Sequence, residues 1–336
     1  MTATEHVRGP AAEVAAARAA LPEPAFAFVA GGAGNGAAAE RNRQAWGAVQ
    51  MTPRLPADVG QRHMATTVLG MPAAAPIAIA PMGGLGAIHP DGVWALACAA
   101  ADCGLPIVVS CMSTERIEGM ATTGAQWALQ LYPLVDKAVQ TDLTHRAVEW
   151  GAQALVLTID TPLRHGSDWE NATGFTPPIP AIADTTIDPR MTWDDVERLI
   201  EDSPLPVWIK GVLSPLHAEQ ALRRGAAGMV VSNHGGRQLD AAPATAHVLP
   251  AVAARVTEMP MHAGIAVDSG ITTGTDVLRA LTLGADSVLV GRQVAFGLAH
   301  GEEGAARVLG RIISELDTAM ACAGCATISD ATKFVS

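Results

Sequence analysis

From about residue 76 onward, short apolar runs alternate with longer amphipathic ones. The apolar runs fall at 76–80, 106–111, 126–131, 154–159, 206–210, 228–232, 262–267 and 286–290. Their length and their Val, Ile and Ala content predict eight buried strands. Between them, residues 91–103, 136–150, 192–202, 215–224, 244–257 and 275–283 repeat apolar positions at helical spacing. Alternating strands and helices predict parallel strands joined by crossovers. Eight such units suit an α/β fold of the (β/α)8 TIM-barrel type. A doubly wound sheet is the runner-up, but no G-x-G-x-x-G follows the first strand. Gly-Ala pairs at 151, 225 and 284 read as helix caps leading into the next strand.

Upstream, residues 11–30 read as helical with a break at Pro22 and Pro24, and 37–48 as a further helix. The glycine-rich run 31–36 lacks a preceding strand, so it reads as a turn and not a phosphate loop. The expected organisation is a single barrel domain over 1–336, with 1–60 as an N-terminal helical segment packed on it.

Composition narrows the class. Hydrophobic residues make up 49% and charged ones 16% of 336 residues, which fits a large core. A net charge of -11 argues against nucleic acid or an anionic membrane as partner. Five scattered cysteines fit reduced thiols in a cytoplasmic protein. Cys322 and Cys325 form a C-x-x-C with no second pair, read as helix-end packing. No apolar run reaches about 18 residues, the length a membrane span needs.

In such a barrel, chemistry sits at the C-terminal ends of the strands. Pro81, Met82 and Gly83 follow the first predicted strand. Ser110, Gln130, Tyr132, Thr158 and Asp160 end the next three, and Lys210 the fifth. His234 and Arg237 follow the sixth, in Ser232-Asn233-His234-Gly235-Gly236-Arg237-Gln238-Leu239-Asp240. Asp268, Ser269 and Gly270 follow the seventh, Gly291 and Arg292 the eighth. The last two ends suit a phosphate, with Arg292 as counter-charge. Ser110, Gln130 and Thr158 suit the edge of a heterocycle. A lysine such as Lys210 favours the anionic, reduced form of an electron-poor ring. His234 with Asp160 as orienting partner has the make-up of a general base. Arg237 suits the anionic end of a substrate.

The run 232–240 resembles the active-site signature of the FMN-dependent 2-hydroxy acid oxidase/dehydrogenase family. That family includes glycolate oxidase, lactate oxidase and mandelate dehydrogenase. Leu21-Pro22, Ala80-Pro81, His89-Pro90-Asp91-Gly92, Gln130-Leu131-Tyr132, Thr158-Ile159-Asp160-Thr161-Pro162, Lys210-Gly211 and Gly291-Arg292 extend the likeness over most of the chain. The resemblance implies FMN as cofactor and His234 as base with Asp160 as its partner. It also implies Tyr132 and Arg237 on the substrate side, and Lys210 near the flavin. Ser110, Gln130, Thr158 and the backbone of 81–83 would touch the ring. Asp268, Ser269, Gly270, Gly291 and Arg292 would hold the phosphate. A small-molecule substrate, oxygen or another electron acceptor, and a homotetramer follow as further expectations.

The chain departs from the family pattern at the substrate's carboxylate. Phe28 stands where the family carries a tyrosine. Counting without gaps, Ser167 stands where it carries an arginine, with Arg164 and His165 as nearby substitutes. Thr272 replaces a phosphate-contacting arginine. A hydrogen bond to a charged group contributes about 1.5–3 kcal/mol. Two unreplaced losses would weaken binding of a simple 2-hydroxy acid by roughly two to four orders of magnitude. The expected substrate is therefore a larger 2-hydroxy acid or a related hydroxyl-bearing metabolite. The alternatives are an amine or other non-acid metabolite, or a flavin-binding protein with a decayed substrate site. The residues from Asn171 to Met191 are few enough to imply a more open lid.

Overall fold

The computed structural model describes residues 9–176, 178, 185–331 and 334. Residues 177 and 179–184 of the expected lid, 171 to 191, lie outside them. An antiparallel hairpin, β1 (Thr66–Val68) and β2 (Met71–Ala73), comes first among the strands. Eight parallel strands then close a barrel: β3 (Ile77–Ile79), β4 (Ile107–Ser110), β5 (Trp127–Leu131), β6 (Leu155–Thr158), β7 (Val207–Val212), β8 (Gly228–Val231), β9 (Gly264–Val267) and β10 (Ser287–Val290). Each pairs with its chain neighbour, and β10 pairs back to β3. The eight expected strands are all present, with ends within two residues of the expected ones.

Strand alternation divides the buried residues between two cores. Ile77, Ile79, Val109, Leu129, Leu157, Ile209 and Met229 pack outward with the helices. Ala78, Val108, Ala128, Val156, Trp208, Val230, Ala266 and Leu289 form a separate inner cluster. Trp208 fills the N-terminal end of this interior. It fits because its neighbours are Gly228 and Gly264, where an added Cβ would lie 2.5 and 2.3 Å from the indole. Val68, Leu69 and Met71 of the hairpin belong to the same inner cluster and close that end. Two residues further along the same inward rows stand Ser110, Gln130, Thr158, Lys210, Ser232 and Asp268, all buried. The interior is thus apolar at one end and polar at the other, and the polar end holds the site.

The six expected helices appear at Gly92–Asp102, Lys137–Glu149, Trp193–Asp202, Pro215–Arg223, Thr245–Thr257 and Gly274–Thr282. Asp136, Thr192, Ser214 and Thr273 cap four of them with side-chain oxygens. The hairpin and the helices Asp168–Thr173, Arg292–Leu298, Gly301–Ala323 and Ile328–Ala331 were not anticipated. The 23-residue helix Gly301–Ala323 is interrupted in sequence by Gly304 and Gly310, which hides its period. Gly304 lets the chain approach Gly297 closely, since a Cβ there would lie 2.1 Å from its carbonyl oxygen. Gly324 ends that helix in the left-handed conformation; Cys322 is exposed and Cys325 buried beside it. Helix-end packing therefore describes the pair, and no metal-binding cluster occurs among the described residues. Among the same residues, no helix is long and apolar enough to cross a membrane.

Ahead of the barrel lie α1 (Pro10–Ala20), α2 (Glu23–Ala30) and α3 (Ala37–Ala48). Prolines in the first turn start α1 and α2, where no backbone N–H is missed. Glu13 of α1 accepts two bonds from Arg311 of the long helix, at 2.6 and 2.9 Å.

The tightest backbone approach tests this packing. A Cβ on Gly274 would lie 2.0 Å from Leu316 N and 2.4 Å from Ile312 O. Gly274→Ala is expected to destabilise the fold by about 1–3 kcal/mol, read as a lower urea midpoint. An unchanged midpoint would contradict the close packing of these two helices.

Candidate active site

A cavity of about 1100 Å³ opens at the polar end of the barrel. His234 stands in its wall on the loop after β8, with φ at 60°, a strained value for a residue with a side chain. Its Nδ1 lies 2.9 Å from Asp160 Oδ1, the residue two places beyond β6. The side chains are 20% and 12% exposed. Asp160 reaches across because β7 carries an irregularity at Gly211, between Lys210 and Val212. A Cβ at Gly211 would lie 2.7 Å from that of Asp160. Burial pushes the Asp160 carboxyl up, but the His234 charge and hydrogen bond, with Lys210 and Thr161, hold it below the ordinary carboxylate range. With an ionised carboxylate as acceptor, the neutral ring carries its proton on Nδ1 and keeps its lone pair on Nε2.

Thr161 joins this pair. Its hydroxyl lies 3.1 Å from Asp160 Oδ1 and 3.3 Å from His234 Nδ1. Tyr132 stacks beside the imidazole with centroids 6.5 Å apart. Burial, then Cys111 and Asp160, raise the phenol above its usual value, so it stays protonated as a donor. Burial also pushes the Cys111 thiol up to about 12, which makes it unreactive at neutral pH.

The His234 loop is held from below and from the side. Lys210 Nζ bonds Ser232 Oγ at 2.9 Å and pairs with Asp268 at 3.1 Å. Ser269 donates to Asp268 at 2.7 Å, and its Oγ accepts from Asn233 N and Gly235 N at 3.3 and 2.9 Å. From α3, Asn42 and Asn233 exchange two amide bonds of 2.8 Å, and Trp46 Nε1 donates to Ser269 O at 2.9 Å. The sequence alone does not point to Asn42 or Trp46. Nothing in their local spacing links them to a loop some 190 residues away.

Gly31, in the glycine run read as a simple turn, accepts from both Arg237 and Arg292. Arg292 also donates to Gly235 O at 2.6 Å, while its buried Nε has no partner among the described residues. Burial, with Arg237 and Arg43 nearby, pushes its guanidinium down to about 9. Since guanidinium stays charged in proteins, this marks positive charge awaiting an anion.

On the other flank, Arg237 Nη1 donates to Phe28 O and Gly31 O at 2.7 and 3.1 Å. Its Nη2 donates to Glu170 Oε1 at 2.9 Å. Phe28 stacks on Phe175 with centroids 4.8 Å apart, and it lines the cavity. Ser167 does not line it. Ser167 is the N-cap of helix Asp168–Thr173, in a reciprocal capping box with Glu170. Ser167 is buried in this cap and stands outside the cavity lining, which corrects its placement among the substrate contacts. Gln130 and Thr158 also lie behind the wall: Ser110 bonds Gln130 at 2.8 Å, which bonds Thr158 at 3.0 Å. Pro81, Met82, Gly83, Ser110, Lys210, Asp268, Ser269, Gly270 and Gly291 line the cavity, as do Tyr132, Arg164 and His165.

The sequence profile of the FMN-dependent dehydrogenases matches residues 17–335. The chain belongs to the FMN-dependent dehydrogenase family. It is 41% identical to an L-lactate oxidase of Roseobacter sp. (strain GAI101), covering 91% of this chain and 88% of that one. A mandelate oxidase with an arginine-to-leucine change, solved with 2-hydroxy-phenylacetamide, superposes with a TM-score of 0.91 at 37% identity, covering 96% of each chain. A mandelate oxidase mutant holding an FMN adduct gives 0.90 at 37% identity, covering 95% and 96%.

Family membership makes FMN the cofactor, and the residues present fit it. The unpartnered Arg292 Nε and its surplus charge suit a phosphate. Gly270, with φ at 93°, and Gly291 leave the backbone beside it bare. Thr272 also lines the cavity, but its hydroxyl is bonded to Asp276 at 3.1 Å. Arg292→Met is expected to weaken FMN affinity about 10- to 200-fold by fluorescence titration, the loss of one charged contact; undiminished affinity would remove Arg292 from the phosphate site. Ser269→Ala strips one buried and one half-buried N–H group of their acceptor and is expected to lower stability by about 1–3 kcal/mol in urea unfolding. No loss would contradict its role as the loop's anchor.

Proposed function

We propose that this chain oxidises a 2-hydroxy acid, or a close 2-hydroxyacyl derivative, to the keto compound, with His234 as the base. The observation that carries the proposal is the Asp160–His234 bond at the wall of the cavity, with Nε2 as the nitrogen left for substrate. In the reaction the carbinol loses its C–H and O–H bonds and gains a C=O double bond. His234 Nε2 takes one proton, and the imidazolium that results is stabilised by ionised Asp160. FMN, when bound, would supply the acceptor for the electron pair and for the second hydrogen. Tyr132, kept protonated, donates toward the substrate oxygen, and Arg237 contacts the carbonyl-bearing head group. Lys210, paired with Asp268 beneath the loop, favours negative charge near it. Arg164 and His165, exposed at the mouth, border the entry route. Molecular oxygen is the final acceptor this reading favours, since the relatives it resembles are oxidases.

His234→Ala is expected to retain FMN but to lose about 10²–10⁴-fold in the rate of flavin bleaching by substrate without oxygen. Bleaching at the parent rate in a flavin-loaded variant would remove the base assignment and favour an amine-oxidising or decayed site.

A further inference from the structure

We propose that Glu170 makes the site selective for an uncharged head group, so that a 2-hydroxy amide is preferred to the corresponding 2-hydroxy acid. The inference rests on the oxidation proposed above and names its substrate class.

Arg237 is the cation that faces the head group, and Glu170 neutralises it. Their side chains are 28% and 7% exposed, and both residues line the cavity. Glu170 cannot swing away cheaply. Its Oε2 accepts from Ser167 N, and its own N–H donates to Ser167 Oγ at 3.1 Å, so the start of helix Asp168–Thr173 fixes the carboxylate. Of the guanidinium's five N–H groups, three are taken by Phe28 O, Gly31 O and Glu170. The two that remain offer donors beside an acceptor, with no net charge.

A primary amide matches that pattern. Its carbonyl oxygen accepts from Arg237 and its N–H donates to Glu170. A carboxylate has two acceptors and no donor, and would stand beside the carboxylate of Glu170 with ionised Asp160 nearby. Like charges that close oppose each other. No other buried cation among the described residues relieves them. Lys210 is paired with Asp268, and Arg292 belongs to the phosphate end. Ser167 is buried in the cap outside the cavity lining, and Phe28 has no hydroxyl. Arg164 lines the cavity at its exposed mouth, and its charge reaches Tyr132 and Cys111, so it is the rival anchor that the test includes.

The test uses the FMN-loaded protein and two matched probes, 2-hydroxy-phenylacetate and 2-hydroxy-phenylacetamide. Bleaching without oxygen gives kcat/KM for each. Calorimetry with phenylacetate and phenylacetamide, which lack the hydroxyl, gives binding alone. The amide is expected to be favoured at least tenfold in both. Glu170→Gln, which keeps the capping reach, is expected to move the acid-to-amide ratio at least tenfold toward the acid. An acid preference in the parent, or a ratio unmoved by Glu170→Gln, would overturn the inference and leave the oxidation standing. An acid preference abolished by Arg164→Leu would also overturn it, by making Arg164 the anchor. Amide bound but never oxidised would uphold the selectivity and overturn the oxidation; neither probe bound nor oxidised would overturn both.

Discussion

The structure depends most on one hydrogen bond, from His234 to Asp160. It joins the ends of β6 and β8 across β7, and it exists because Gly211 leaves room where the intervening strand is irregular. The bond sets which nitrogen carries the proton and which keeps a lone pair. The geometry costs something locally, since His234 and Ser269 both hold positive φ angles. That strain is sustained by the Lys210–Asp268–Ser269 chain below and by α3 at the side. Asp160 also links the site to pH. Its carboxyl is depressed in the fold, so the stability it contributes is present above the unfolded carboxylate value. It is lost as pH falls through the lowered folded one.

Charge at the polar end comes in pairs. His234 has Asp160, Lys210 has Asp268, and Arg237 has Glu170. Buried pairs of this kind are poor sources of net stability, because desolvation consumes most of the attraction. Their use here is position: each fixes a functional side chain in one rotamer. Arg292 differs, with backbone carbonyls as partners and an idle Nε, and this asymmetry is what assigns it to an anionic ligand. Among its buried groups, the site thus separates an end that suits an anion from an end where charge is already balanced.

Much of this was legible in the sequence. Eight apolar runs gave the barrel because strand burial has a short, regular signature. The rim residues were legible because a polar residue closing an apolar strand is conspicuous. Asp160 and His234 were paired correctly from their strand ends alone. What escaped was set by contacts distant in sequence. Asn42 and Trp46 reach the loops after β8 and β9 from the N-terminal helices, and no local pattern announces it. Ser167 looked like a vacated substrate position, although Ser167 and Glu170 have the spacing of a capping box. That spacing was the signal for helix Asp168–Thr173, and through it for the carboxylate opposite Arg237. Gln130 and Thr158 stand near the ends of apolar strands as expected, yet they bond each other behind Ser110 and not at the wall.

The most direct test of the account is the protonation of the His234 ring, read by nitrogen NMR on ring-labelled histidine near neutral pH with His234→Ala as the assignment control. The account predicts that the neutral form of the ring carries its proton on Nδ1, hydrogen-bonded to Asp160, and leaves Nε2 unprotonated. A proton resident on Nε2, with Nδ1 bare, would contradict it, because no lone pair would then face the substrate.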